Sequence, residues 1–99
     1  MKSDGFDWDL GNWPKCAKHG LTKTTIEQAF HAGLDVFDDP IDPRIEKRFR
    51  AIGKDASGRH LFVVFCFRRK NGKVLIRPIS ARYMREKEVR HYARQRKNA

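Results

Sequence analysis

Acid is scarce where base is dense. Residues 68–99 hold two Asp or Glu against twelve Lys or Arg, while residues 1–67 hold ten of each. The whole net charge of +10 on this 99-residue chain therefore lies in its last third. A one-sided basic field favours a polyanion through charge steering and counterion release. Nucleic acid is the leading partner class. An acidic protein surface, acidic lipid or a merely solvated tail are the alternatives. Cysteine is scarce too. Cys16 and Cys66 are far apart, and Cys66 sits inside the apolar run LFVVFCF, so a buried thiol is expected and a disulfide framework is excluded. That seven-residue run is the longest apolar stretch, well short of the ~20 residues a membrane helix needs. The opening MKSDGFDWD carries acids where a signal peptide carries apolar residues. No repeat or low-complexity segment is present. These gaps lead us to expect a soluble cytoplasmic protein with no membrane partner. One domain should span residues 1–99, with 93–99 a basic tail expected to fray.

What is present predicts an α+β fold. GFDWDL alternates aromatic with acidic residues and suits a short edge strand. Asn12 is a helix cap ahead of Pro14, and His19–Gly20 ends that helix with a cation and a glycine. A second helix places Ile26, Ala29 and Phe30 on one face and stops at Gly33. LDVFDDPIDP, with two Asp-Pro steps, predicts a turn-rich connection. EKRFRAIG, HLFVVFCF and KVLIRPISA predict three strands joined by hairpins at Ser57–Gly58 and Asn71–Gly72. HLFVVFCF is apolar on both faces, so it should be central and covered on both sides. Pro78 cannot donate to a ladder, so a bulge or an edge position is expected there. MREKEVRHYARQR closes the chain as a helix with a thin apolar stripe of Val89, Tyr92 and Ala93. The predicted order is β-α-α-β-β-β-α, with a small antiparallel sheet.

His19, beside Lys18, is either a cation supporting a helix C-terminus or an imidazole placed to move protons or bind phosphate. His31, His60 and His91 show no partner pattern. Cys16-x-x-His19 has the look of half a zinc site, but no second pair stands at a useful spacing. Asp35, Asp38, Asp39 and Asp42 suit local turn bonding. Neither metal nor cofactor is therefore expected. Met84, Glu88 and Tyr92 share one helix face, with Arg82 adjacent and Arg48 or Arg50 able to point the same way. That face is either a partly buried stripe or a site. Arginines with a histidine and a carboxylate can cleave RNA without a metal, because the 2′-hydroxyl attacks its own phosphate and guanidinium groups stabilise the anion that forms. Trp8 and Trp13 either stack on bases or pack on a helix.

FDWD, NWPKCAKHG, VFDDP, EKRFRAIG, GRHLFVVF and IRPISARYMREKEVRHY occur in this order from Phe6 to about Tyr92. As a set they resemble the BrnT family, the toxin halves of bacterial type II toxin–antitoxin pairs. The chain departs from the family pattern in a short Asp39–Glu46 connection and in a second helix, LTKTTIEQAF, with little acid. The resemblance implies a RelE-like, microbial-RNase-related fold. It also implies a metal-independent endoribonuclease toxin that blocks translation by cutting RNA. Its partner would be a BrnA-type ribbon-helix-helix antitoxin, with operator DNA reached only through that complex. Trp8, Lys18, His19, Glu46, Arg48, Arg82, Glu88 and Tyr92 match the family's motifs. The expected catalytic set is Lys18, His19, Arg48, Arg82, Glu88 and Tyr92. The expected RNA-binding set is Trp8, Arg50, Arg68, Arg69 and Arg77. A non-catalytic RNA- or DNA-binding module or repressor subunit is the competing reading.

Overall fold

A computed structural model describes residues 3–39 and 47–97. Two helices, α1 (Trp13–Ala17) and α2 (Lys23–Ala32), precede four strands, β1 (Asp35–Asp38), β2 (Phe49–Lys54), β3 (His60–Lys70) and β4 (Lys73–Tyr83). Helix α3 (Glu86–Lys97) follows. The strands form one antiparallel sheet in sequence order. The α+β expectation holds, and the element order differs from it at two points.

The first strand is not where its alternation placed it. GFDWDL forms only an isolated parallel bridge, Phe6 to Ile76, along the outer edge of β4. Three backbone bonds of 2.8–2.9 Å hold it there: Asp4 N to Val74 O, Ile76 N to Gly5 O, and Asp7 N to Ile76 O. The real first strand, β1, comes from DVFD inside the stretch expected to be turn. Its pairing with β2, Asp35 opposite Ile52 through Asp38 opposite Phe49, overrides the local turn signal. Asp42 and Glu46 lie outside the described residues.

The punctuation of the chain behaves as its chemistry predicts. Asn71 and Gly72 both have positive φ, at 52° and 76°, as a two-residue hairpin turn of that hand requires. At Pro78 the β3–β4 register shifts. Val64 pairs with Ser80 and Phe65 with Pro78, so Ile79 is the extra residue of a bulge. The shift turns Ala81 back to the face that Ile76 and Pro78 bury. Asn12 does not use its side chain as a helix cap. It is 2% exposed and ties three segments instead. Its Nδ2 donates to the carbonyls of Asp7 (2.9 Å) and Pro78 (2.7 Å), and its Oδ1 accepts from Asp9 N (2.8 Å). A fully satisfied buried amide thus locks the start of α1 onto the bulge of β4.

The core lies between the sheet and the pair α1 and α2. Cys16, Leu21, Ile26 and Ala29 pack against Ala51, Leu61, Val63, Phe65, Ile76 and Ala81. Phe30 bridges the layers, with ring centroids 5.5 Å from Phe6 and 5.1 Å from Phe65. β3 is central, as its composition predicts, but only one of its faces is fully covered. On the other face Phe62 and Val64 are half-buried, and none of residues 86–96 of α3 is buried. No described helix is long and apolar enough to cross a membrane.

Candidate active site

The end of β4 and the first turn of α3 build a cleft from chain positions far apart. His19, Arg59, Arg82, Tyr83, Arg85, Lys87 and Glu88 line it, around about 680 Å³. Four side chains with fixed positive charge and one imidazole face a single carboxylate there. Such a lining is suited to a phosphodiester. His19 is exposed just past α1, followed by Gly20 with φ of 83° and its N–H on the Ala17 carbonyl at 3.0 Å. The chain turns sharply there, and the imidazole faces the cleft.

Arg82 and Glu88 form the cleft's fixed pair. Arg82 Nη1 donates to Glu88 Oε1 and Nη2 to Oε2, both at 2.8 Å. Glu88 Oε1 also accepts from Arg85 N at 3.0 Å, which satisfies a free N–H at the start of α3. The Arg82 hydrogen bonds, then that backbone donor, hold the Glu88 carboxyl at about 2, below its ordinary value. Glu88 is thus an anion with both oxygens committed, a poor base near neutrality. Arg82 in turn lies 5.1 Å from the Phe62 ring centroid, and Nη1 makes a longer contact of 3.5 Å to Tyr83 O.

Sequence reasoning missed Arg59. Its guanidinium carbon stands 3.8 Å from the Tyr83 ring centroid. Tyr83 Oη donates to Asp55 Oδ2 at 2.9 Å, and Asp55 Oδ1 accepts from the backbone N of Ser57 and Arg59, both at 2.9 Å, and from Ser57 Oγ at 2.7 Å. Bonds from Ser57, Arg59 and Tyr83 hold the Asp55 carboxyl down at about 2. The hint in the sequence was weak: a basic residue after Ser-Gly at a hairpin, whose aromatic partner stands 24 positions later.

The other candidates lie elsewhere. Lys18 is exposed next to His19 but does not line the cleft. Arg50 and Tyr92 line a second groove of about 510 Å³ with Phe37, Ile52, Phe62 and Met84, reached across the first turns of α3. There Arg50 Nη2 donates to Asp38 O at 3.2 Å, and its Nε is buried with no hydrogen-bond partner among the described residues. The Tyr92 hydroxyl donates to Asp35 Oδ2, which Arg96 Nε also approaches at 3.4 Å. Burial, then the bond to Asp35, raises the Tyr92 phenol above its ordinary value. Glu88, Tyr92 and Arg96 therefore all tie α3 to the sheet. Arg48 is half-buried beside β2 and lines neither groove; its carbonyl accepts from Asp39 N at 3.1 Å.

Arg77, Arg68, Arg69 and Trp8 stand away from the cleft. Arg77 Nη1 donates to Asp7 Oδ2 (3.2 Å) and Asp9 Oδ2 (3.0 Å), and Nη2 to Asp9 Oδ1 (3.0 Å). Its side chain is only 14% exposed. It fastens the N-terminal segment to β4. Arg68 and Arg69 lie near the Asn71–Gly72 hairpin, about 20 Å along β3 from Phe62, the strand partner of Arg82, at ~3.3 Å per residue. Trp8 donates from Nε1 to Glu27 Oε2 at 2.8 Å and meets Trp13 edge-on at 5.3 Å, so it packs on the helices. Among the described residues no group of three His, Cys, Asp or Glu side chains is placed to hold a metal ion.

One comparison with known proteins bears on this site. The model of a family described as "Ribonuclease toxin, BrnT, of type II toxin-antitoxin system" matches residues 8–88, from Trp8 through the Glu88 of the cleft. No curated protein matches the chain.

Proposed function

The chain belongs to the BrnT family of ribonuclease toxins of type II toxin–antitoxin systems, and from that premise we propose that it is a metal-independent endoribonuclease acting in the His19–Arg82 cleft. The observation that carries this reading is the cleft itself, which gathers one imidazole and four cations from three parts of the chain around one spent carboxylate. In the reaction we assign, the RNA 2′-hydroxyl oxygen attacks the adjacent phosphorus. The O2′–P bond forms and the P–O5′ bond breaks. His19 takes the 2′-hydroxyl proton, because imidazole is the side chain suited to exchange protons near neutrality. The departing O5′ takes a proton from solvent water and His19 returns the one it took to solvent, leaving a cyclic phosphate and a 5′-hydroxyl. The guanidinium groups neutralise the pentacoordinate anion, a task that elsewhere falls to a metal ion. Glu88 holds Arg82 and the start of α3 in place. Lys18 adds charge beside His19. Arg48, Arg50 and Tyr92 support the RNA-facing surface or the seat of α3 and take no proton.

Cutting RNA in this way blocks translation. A cognate antitoxin of the BrnA ribbon-helix-helix type masks the basic face, and operator DNA is met only through that complex. The excess of +10 in residues 68–99 supports an acidic covering surface. The test is induced expression with and without the neighbouring reading frame, read as growth and RNA integrity. Growth arrest with fragmented RNA, relieved by the neighbour, is expected. Intact RNA under arrest would move the reading to a non-catalytic binder.

A further inference from the structure

We propose that Arg59 grips a substrate phosphate in this cleft and that Tyr83 and Asp55 hold it ready to do so, an assignment that rests on the ribonuclease reading above. The two arginines best placed in the cleft are committed differently. Arg82 gives one N–H from each terminal nitrogen to Glu88 at 2.8 Å, so its fork already holds an anion. Arg59 makes no ion pair among the described residues and is oriented by an aromatic face, with its guanidinium carbon 3.8 Å from the Tyr83 centroid. Stacking leaves the N–H groups in the guanidinium plane available at its edge, where a phosphate accepts two in parallel.

The platform under it is rigid. Tyr83 closes β4, and its hydroxyl is held by Asp55 at 2.9 Å. The same Asp55 takes the backbone N–H of Arg59 at 2.9 Å, and Asp55 N donates to Arg59 O at 3.0 Å. One carboxylate therefore fixes both the ring and the backbone that carries the guanidinium. Much of the entropy cost of ordering a long side chain is met on folding and not on binding. Arg59 shares the cleft lining with His19 and Arg82, so a phosphate held there lies next to the proposed chemistry. Arg59 would touch substrate, whereas Tyr83 and Asp55 act through it as positioning residues.

The experiment uses the full chain with Arg59→Ala, Arg59→Lys, Tyr83→Leu and Tyr83→Phe. It reads RNA cleavage kinetics, melting temperature and the salt dependence of binding to a 2′-deoxy oligonucleotide, which lacks the attacking hydroxyl. Arg59→Ala should lower kcat/KM about 10- to 100-fold, as for one lost charge-assisted contact. It should also flatten the log–log salt slope by about 0.7, one phosphate on a single strand. Arg59→Lys should keep the slope yet lose most of the rate, because lysine lacks the planar fork. Tyr83→Leu should copy Arg59→Lys, and Tyr83→Phe, which keeps the ring, should recover most of that loss. Full activity and an unchanged slope in Arg59→Ala would overturn the proposal. So would wild-type rates in Arg59→Lys, or rate losses matched by equal losses in melting temperature. If the wild-type protein cleaves no RNA, the ribonuclease reading fails by itself, and the salt slope still decides whether Arg59 holds phosphate.

Discussion

Asn12 is the residue whose loss should most clearly show how the cleft depends on its structural support. Asn12→Ala removes three hydrogen bonds of 2.7–2.9 Å at a site that is 2% exposed. Two carbonyls, of Asp7 and Pro78, and the Asp9 N–H lose their partner. A made bond contributes ~0.5–1.5 kcal/mol net, and a buried group left unsatisfied costs ~1–3 kcal/mol. Entry of a water would recover part of this, so the expected loss is about 2–5 kcal/mol. At ~4–8 °C per kcal/mol for a domain of this size, melting should fall by more than about 8 °C. Asn12→Asp keeps the volume but presents a charged acceptor to two carbonyls, and should cost as much or more. Paired thermal and urea melts measure this. Activity should fall together with stability, because the amide clamps α1, which leads to His19, against the bulged strand that ends at Arg82. A melting temperature within about 3 °C of wild type for either variant would refute the clamp.

Other outcomes follow from the same geometry. Arg82→Lys should slow cleavage nearly as much as Arg82→Ala, by roughly 30- to 1000-fold, since either breaks the two-point contact with Glu88; a fully active lysine variant would remove Arg82 from the site. The folded Glu88 carboxyl at about 2 lies below its unfolded value of ~4.3, so its contribution is complete above that value and is lost as pH falls through about 4 to 2. A carboxyl NMR titration with a Glu88 midpoint near 4.3 would contradict the Arg82 pairing. Burial pushes the Cys16 thiol up to about 11, so a thiol reagent near pH 8 should label Cys16 only after denaturation. Gly53→Ala would drive a Cβ into Leu34 Cδ2, and should cost about 1–3 kcal/mol unless Leu34 changes rotamer.

Much of the fold could be read from residues that act locally. Asn71–Gly72 demands its turn, Gly33 ends α2 with positive φ, Gly20 turns the chain two residues past the Lys18 cap of α1, and Pro78 forces the ladder to break. What could not be read depends on distant partners. Nothing in DVFD announces β2, and nothing in GFDWDL announces an edge 70 positions away. The sequence puts Arg77 in the RNA-binding set because the acids that bind it, Asp7 and Asp9, are 70 and 68 residues distant. Asn12 has the local signature of a cap, yet the Pro78 carbonyl freed by the bulge is the stronger claim on its amide. His19, Arg82 and Glu88 emerged as candidates from the residues and the family resemblance, and they do share a cleft. Arg59 escaped because its role comes from stacking on Tyr83, which no spacing rule reports.

The central claim is RNA cleavage by the chain's own side chains. The most direct measurement is cleavage of a defined single-stranded RNA by the purified protein in excess chelator, with the fragment ends identified. Products ending in a 2′,3′-cyclic phosphate and a 5′-hydroxyl, formed by the wild-type protein and lost in His19→Ala, are predicted. Cleavage that stops with chelator and returns with magnesium, or that leaves 5′-phosphate ends, would contradict the account.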